Sequence, residues 1–187
     1  MIPLVIFTVL GLGIFSLLYP FHLLNVDYKN KVMSLIFASG VSREKYYFVK
    51  IGATVLTCFI ATLVILFIPA VMFLIFYPDF FVLMMKRYFL LFTISNITTL
   101  VLMTLFSWLA YYVMLTTSVI ITKGKVSGIF LFLGFSFAIS IIQSMFRFPL
   151  LSDYNLNFYF GASTVFSIIQ IVIFALIGLA VLRKQDL

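Results

Sequence analysis

The chain has 187 residues, of which 65% are hydrophobic and only 9% charged, with a mean hydropathy of +1.28 and a net charge of +7. Soluble domains run to about 25% charged residues, so a soluble enzyme or scaffold is excluded and an integral membrane protein is expected. The basic excess would suggest nucleic acid in a soluble chain. Here it gathers at the ends of apolar runs, where membrane orientation and anionic lipid account for it, and no nucleic-acid partner is expected.

A hydrocarbon core about 30 Å thick needs about 20 apolar residues per helix, so this length predicts about five spans. The expected fold class is all-α: a single polytopic transmembrane helix bundle over residues 1–187, without internal repeats. The first span runs from about 2 to 24. Its opening, MIPLVIFTVLGLGIF, lacks a basic leader and is too continuous for a signal-peptide core, so it reads as a true span. It closes on Tyr19, Pro20, Phe21 and His22, residues that suit the bilayer interface. His22 reads as an interfacial anchor, with a proton relay as the competing role.

Residues 25–50 form the one long polar interruption, an elbow on which the rest of the chain turns. At helical spacing Asp27, Asn30, Lys31 and Ser34 make a polar stripe, and Tyr28, Val32, Leu35 and Ile36 an apolar one, which predicts a short amphipathic surface helix. Gly40 breaks that pattern, and Ser42 followed by Glu44 and Lys45 is expected to N-cap the next helix. The elbow carries Lys29, Lys31, Arg43, Lys45 and Lys50 against Asp27 and Glu44, a bias that places it in the cytoplasm.

The second span, about 51 to 77, contains Pro69, which is expected to kink it or to sit where a neighbouring helix satisfies the freed carbonyl. Residues 78–88 connect it to an apolar run from 89 to 121. As one helix that run would be close to 50 Å long at about 1.5 Å per residue, so it must tilt, kink or pass the membrane surface. It carries Thr93, Ser95, Asn96, Thr98, Thr99, Thr104 and Ser107. Asn96, Thr99 and Ser107 can share one face, and two readings stand: a polar route through the bundle, to which Gln143 and Gln170 would add, or hydrogen bonds between helices. Asn96-Ile97-Thr98 matches a glycosylation sequon, without meaning at mid-bilayer depth.

Lys123 and Lys125 return the chain to the basic side, and Gly124 with Gly128 has GxxxG spacing, a weak signal at a span end. A fourth span is expected over about 129 to 145. The aromatic segment from 146 to 160 suits the outer interface, and a last span runs from about 161 to 182 before Arg183-Lys184-Gln185-Asp186-Leu187. The elbow, the Lys123 loop and the tail together hold nine of the twelve Lys and Arg residues, which predicts an outside N-terminus and a cytoplasmic C-terminus in the cell membrane.

Chemistry is sparse. A lone Cys58 and a lone His22 give no disulfide and no metal-ligand set. There is no GxxxxGK loop, GxSxG elbow or HExxH pair, and the acids sit at span ends or in loops. No catalytic, cofactor or metal residues are expected, so any energy must come from another protein.

The run from Met33 to Arg43, MSLIFASGVSR, followed by Lys50 and a span, resembles the cytoplasmic coupling segment of type-2 ABC exporter permeases, and the ending LRKQDL resembles their short tails. That resemblance implies a permease without nucleotide chemistry, paired with a separate cytosolic ABC ATPase subunit and a second permease copy or paralogue. Asp27, Lys31, Leu35, Ser39, Gly40, Ser42 and Arg43 would form the ATPase-coupling surface, and the cargo would be hydrophobic or amphipathic: a peptide, antibiotic or lipid-like molecule. Such permeases usually have one more helix before the equivalent of the first span, so the chain reads as a shortened member or a partial sequence. Two alternatives stand beside this. The elbow rests on anionic membrane lipid, or the chain is an immunity or regulatory subunit that binds a ligand through its outer aromatic segment.

Overall fold

The structure is a computed structural model that describes residues 2–79, 82, 83, 86, 94–151 and 156–185. In chain order the helices are α1 (Ile2–Lys29), α2 (Val32–Ala38), α3 (Arg43–Phe76), α4 (Ile94–Ile121), α5 (Ser127–Leu151) and α6 (Leu156–Lys184). Lipid offers no partner for backbone amides and carbonyls, so apolar stretches of this length close their hydrogen bonds internally as helices. Among the described residues five helices are long and apolar enough to cross a membrane, and α2 is the short exception. The chain is an all-α, multi-pass membrane protein.

The helix ends depart from the expected ones in an informative way. α1 runs on to Lys29, so Asp27 and Tyr28 belong to the first span's helix and not to the surface helix. The break falls at Lys31, which adopts a left-handed conformation (φ 54°), and α2 is left with seven residues. The expected polar stripe is thereby split between two helices. α3 begins at Arg43, eight residues ahead of the expected span, and its first two turns belong to the elbow. α4 has 28 residues, or about 42 Å at 1.5 Å per residue, which exceeds the hydrocarbon thickness. At its C-terminal end every residue from Tyr112 to Ile120 is buried in protein. α5 continues to Leu151, through part of the segment expected to lie in the interface; the side chains of 146–158 are outside the described residues.

α4 and α6 share the longest seam, α5 packs on α4, and α1 and α3 pair beside them. The core sits at one end of this bundle. Tyr47, Leu115, Val119 and Leu182 are fully buried there, together with Thr116, Thr117 and Ser118. The elbow, the loop 122–126 and the tail meet at that same end, as the basic-residue count predicts. Gly124 takes a positive φ of 73° and lies so close to α1 that a Cβ would come within 2.8 Å of Tyr28 Cβ. At Gly128 a Cβ would meet Thr122 Oγ1 at 2.7 Å and Phe21 Cε2 at 3.3 Å. The GxxxG spacing thus marks the place where this loop docks on α1.

Candidate functional site: a clasped elbow

Asp27 sits on the last turn of α1 and is 9% exposed. Tyr46 Oη donates to its Oδ2 at 2.5 Å, and Lys50 Nζ pairs with the same oxygen at 2.6 Å. Tyr46 and Lys50 stand four residues apart on α3, so both reach the face that meets α1. A buried carboxylate with a cation and a hydroxyl has its charge and lone pairs met; with either removed, the remaining charge would be stranded.

α2 hangs from this joint. Met33 is 3% exposed and plugs the core, whereas Leu35 is 68% exposed on the opposite face. Lys31, Ala38, Ser39 and Gly40 are exposed as well. The helix ends in a reciprocal cap: Gly40 N–H donates to Phe37 O (3.1 Å) and Val41 N–H to Ile36 O (3.4 Å), with Gly40 at φ 88°. A side chain at position 40 would strain that turn, which is why the chain places glycine there. Ser42 then caps α3 as expected, its Oγ accepting from Lys45 N–H at 3.3 Å. Beside the joint, Ile36, Val41, Val49 and Ala53 line a groove of about 350 Å³ that also borders Asp27 and Lys45.

Arg43 faces inward. Its guanidinium lies 5.5 Å from the Phe37 ring centre, and Nη1 donates to the carbonyl oxygens of Leu182, Arg183 and Gln185, each at 2.8 Å. The last carbonyls of a helix have no partner within it, and they carry the negative end of its dipole. Arg43 therefore serves as a C-cap for α6 supplied from α3. A second, exposed pair joins Arg183 to Glu44.

Gln185 completes the clasp. It is 6% exposed, accepts from Tyr28 Oη at 3.2 Å and donates through Nε2 to Ile120 O at 2.6 Å, so one amide ties α1 to the end of α4. Deeper in, Tyr47 Oη contacts Thr117 Oγ1 at 3.2 Å, and Thr117 Oγ1 donates to Phe174 O at 2.9 Å. A Cβ on Gly178 would come 2.7 Å from Tyr47 Oη, so α6 can approach only because that residue has none. Sequence reasoning singled out neither Gln185 nor Thr117. The run Thr116-Thr117-Ser118 at a span end was the one available signal.

Of the expected coupling residues, Lys31, Leu35, Ser39, Gly40 and Ser42 are exposed, whereas Asp27 and Arg43 are engaged within the bundle. Of the expected conduit residues, Ser107 Oγ meets Ser167 Oγ at 3.3 Å and Gln170 Nε2 lies 3.7 Å from Met114 Sδ. Both contacts span the seam between α4 and α6. Gln143 is half-buried on α5 and Thr99 half-buried on α4; the side chain of Asn96 lies outside the described residues. Among the described residues no group of three or more His, Cys, Asp or Glu side chains could hold a metal ion.

Comparisons with protein-family models, with curated proteins and with solved structures find no match to this chain.

Proposed function

We propose that the chain is the membrane permease subunit of an ATP-driven exporter of the type-2 ABC class, working with a separate cytosolic ATPase and a second permease copy. The cargo is hydrophobic or amphipathic. The observation that carries this reading is the two-faced α2: Met33 anchors it in the core while Leu35 stands out from an exposed, basic elbow. An exposed apolar side chain beside cations fits the groove of a soluble partner better than water. A load on α2 has a stiff path inward, because its neighbours Asp27 and Arg43 bind α1 to α3 and α3 to α6. The exposed Lys29, Lys31 and Lys45 favour a cytoplasmic elbow, with the chain in the cell membrane.

The direct test is co-expression with an ABC ATPase from the same genome, one encoded beside the chain first of all where there is one, followed by tag purification in mild detergent. A stable complex that Leu35→Asp disrupts is expected; two proteins that separate under conditions keeping other transporters whole would rule the proposal out. In the same system Gly40→Pro and Arg43→Glu are expected to lower export while membrane insertion persists.

A further inference from the structure

A cavity of about 420 Å³ lies between α1, α3 and α4, lined by Leu12, Gly13, Ser16, Thr62, Ser107, Trp108, Tyr111 and Tyr112. Gly13, Thr62 and Trp108 each stand near the middle of their helices, which puts the cavity near mid-membrane. Trp108 is the one tryptophan of the chain. Tryptophan normally gathers at the membrane interface, where its N–H finds water or headgroups. Here its ring packs edge-on against Phe59, and the indole N–H has no acceptor among the described residues.

The hydroxyls around it are set the other way. Ser16 Oγ donates to Gly13 O at 3.0 Å, and Thr62 Oγ1 donates to Cys58 O at 2.8 Å. Their protons are used; Ser16 Oγ also meets the Tyr111 hydroxyl, while Thr62 Oγ1 keeps lone pairs that can accept. Among the described residues the lining thus offers the indole N–H as a donor and Thr62 Oγ1 as an acceptor, beside the hydroxyls of Tyr111 and Tyr112, within an otherwise apolar wall. An amide satisfies both, its C=O taking the indole proton and its N–H reaching a hydroxyl oxygen. An ester satisfies only the donor. Among the described residues the lining has no acid, Lys, Arg or His, so an ionised guest would lie in a low-dielectric site without a counter-charge.

We infer that this cavity is a binding site for an uncharged, amide-bearing apolar molecule, of which a blocked hydrophobic peptide is the simplest example. The inference rests on the transport reading for its purpose, since it names the cargo class, but its test uses no ATPase and stands or falls separately from the co-purification. The probe is an N-acetylated, C-amidated dipeptide of leucine and para-bromophenylalanine, added to the full chain in phosphatidylcholine vesicles. Bromine quenches indole fluorescence on contact, and Trp108 is the only tryptophan to report.

Saturable quenching is expected, about tenfold weaker or worse for the same dipeptide with free, charged termini. A Cβ on Gly13 meets nothing within 4 Å, so Gly13→Leu fits the backbone and fills the cavity, and it should abolish quenching. Thr62→Val removes an acceptor without adding bulk and should weaken binding several-fold. Gly134→Leu on α5, also directed into open space, should leave it unchanged. Equal quenching by the charged dipeptide, or quenching that survives Gly13→Leu, would overturn the inference. So would full quenching by dibrominated phosphatidylcholine that the blocked dipeptide does not relieve, since lipid would then fill the cavity. If neither bromine reaches Trp108, another protein chain covers the site and the inference fails equally.

Discussion

The two ends of the bundle are built on opposite principles. At the basic end α4 is buried on every side from Tyr112 to Ile120, and polar side chains there are matched across helices: Asp27 with Lys50 and Tyr46, Gln185 with Tyr28 and Ile120, Thr117 with Tyr47 and Phe174. Toward the other end, Phe67, Ile75 and Phe76 of α3 are each more than 60% exposed, and the matched polar contacts thin out to pairs such as Ser107 with Ser167. Apolar side chains facing lipid gain no hydrophobic stabilisation by packing on one another, since lipid tails are equally apolar. A matched polar contact in a protein interior does discriminate between arrangements, because separating the partners strands both. The difference makes the basic end a rigid hub and leaves the other half of each helix to lipid or to further protein.

Substitutions can break that contrast. The largest effect is expected from Asp27→Ala, which leaves Lys50 half-buried without its anion, a change that costs about 3 kcal/mol for buried pairs. A drop in the thermal midpoint in detergent, partly restored by the double variant Asp27→Ala with Lys50→Met, would establish the pairing. Arg43→Gln follows: losing a charged donor to the end of α6 is expected to cost about 2 kcal/mol and to expose residues 182–185 to protease.

A glycine pair on α6 sharpens the contrast further, since it makes the same chemical change at the two ends. Gly178→Ala drives a methyl into Tyr47 and Thr117, which are both fully buried, and is expected to cost about 1–3 kcal/mol. Gly161→Ala meets nothing within 4 Å and should be neutral or stabilise by a few tenths of a kcal/mol through helix propensity. The smallest effect on stability belongs to Leu35→Ser, within about 0.5 kcal/mol for so exposed a residue. Its consequence should appear in the partner assay instead, as lost ATPase binding.

The same division governs how much of the molecule was legible in its sequence. Run length and hydropathy yield five spans, and the clustering of basic residues predicts the shared end of elbow, loop and tail, because both follow from local composition and membrane thickness. Gly40 and Ser42 were readable because caps are local chemistry, and both adopt the expected geometry. The break at Lys31 was not, since a left-handed lysine carries no compositional mark and the helical stripe continues through it. The inward turn of Asp27 and Arg43 depends on partners at Lys50 and at residues 182–185, and Gln185 reaches across 157 positions to Tyr28. Such contacts are set by how the helices stack, and a single chain read in order does not contain that information. Gly178 looked like any glycine in an apolar span until Tyr47 and Thr117 were seen beside it.

All of this gives the elbow its meaning only if it stands in the cytosol. Lys31 and Lys45 are both exposed, so Lys31→Cys and Lys45→Cys, each made singly in a Cys58→Ser background, can be probed in intact cells with a membrane-impermeant maleimide. No labelling until the membrane is permeabilised is the predicted result. Labelling of either position in intact cells would place the elbow outside, out of reach of any ATPase, and would contradict the account.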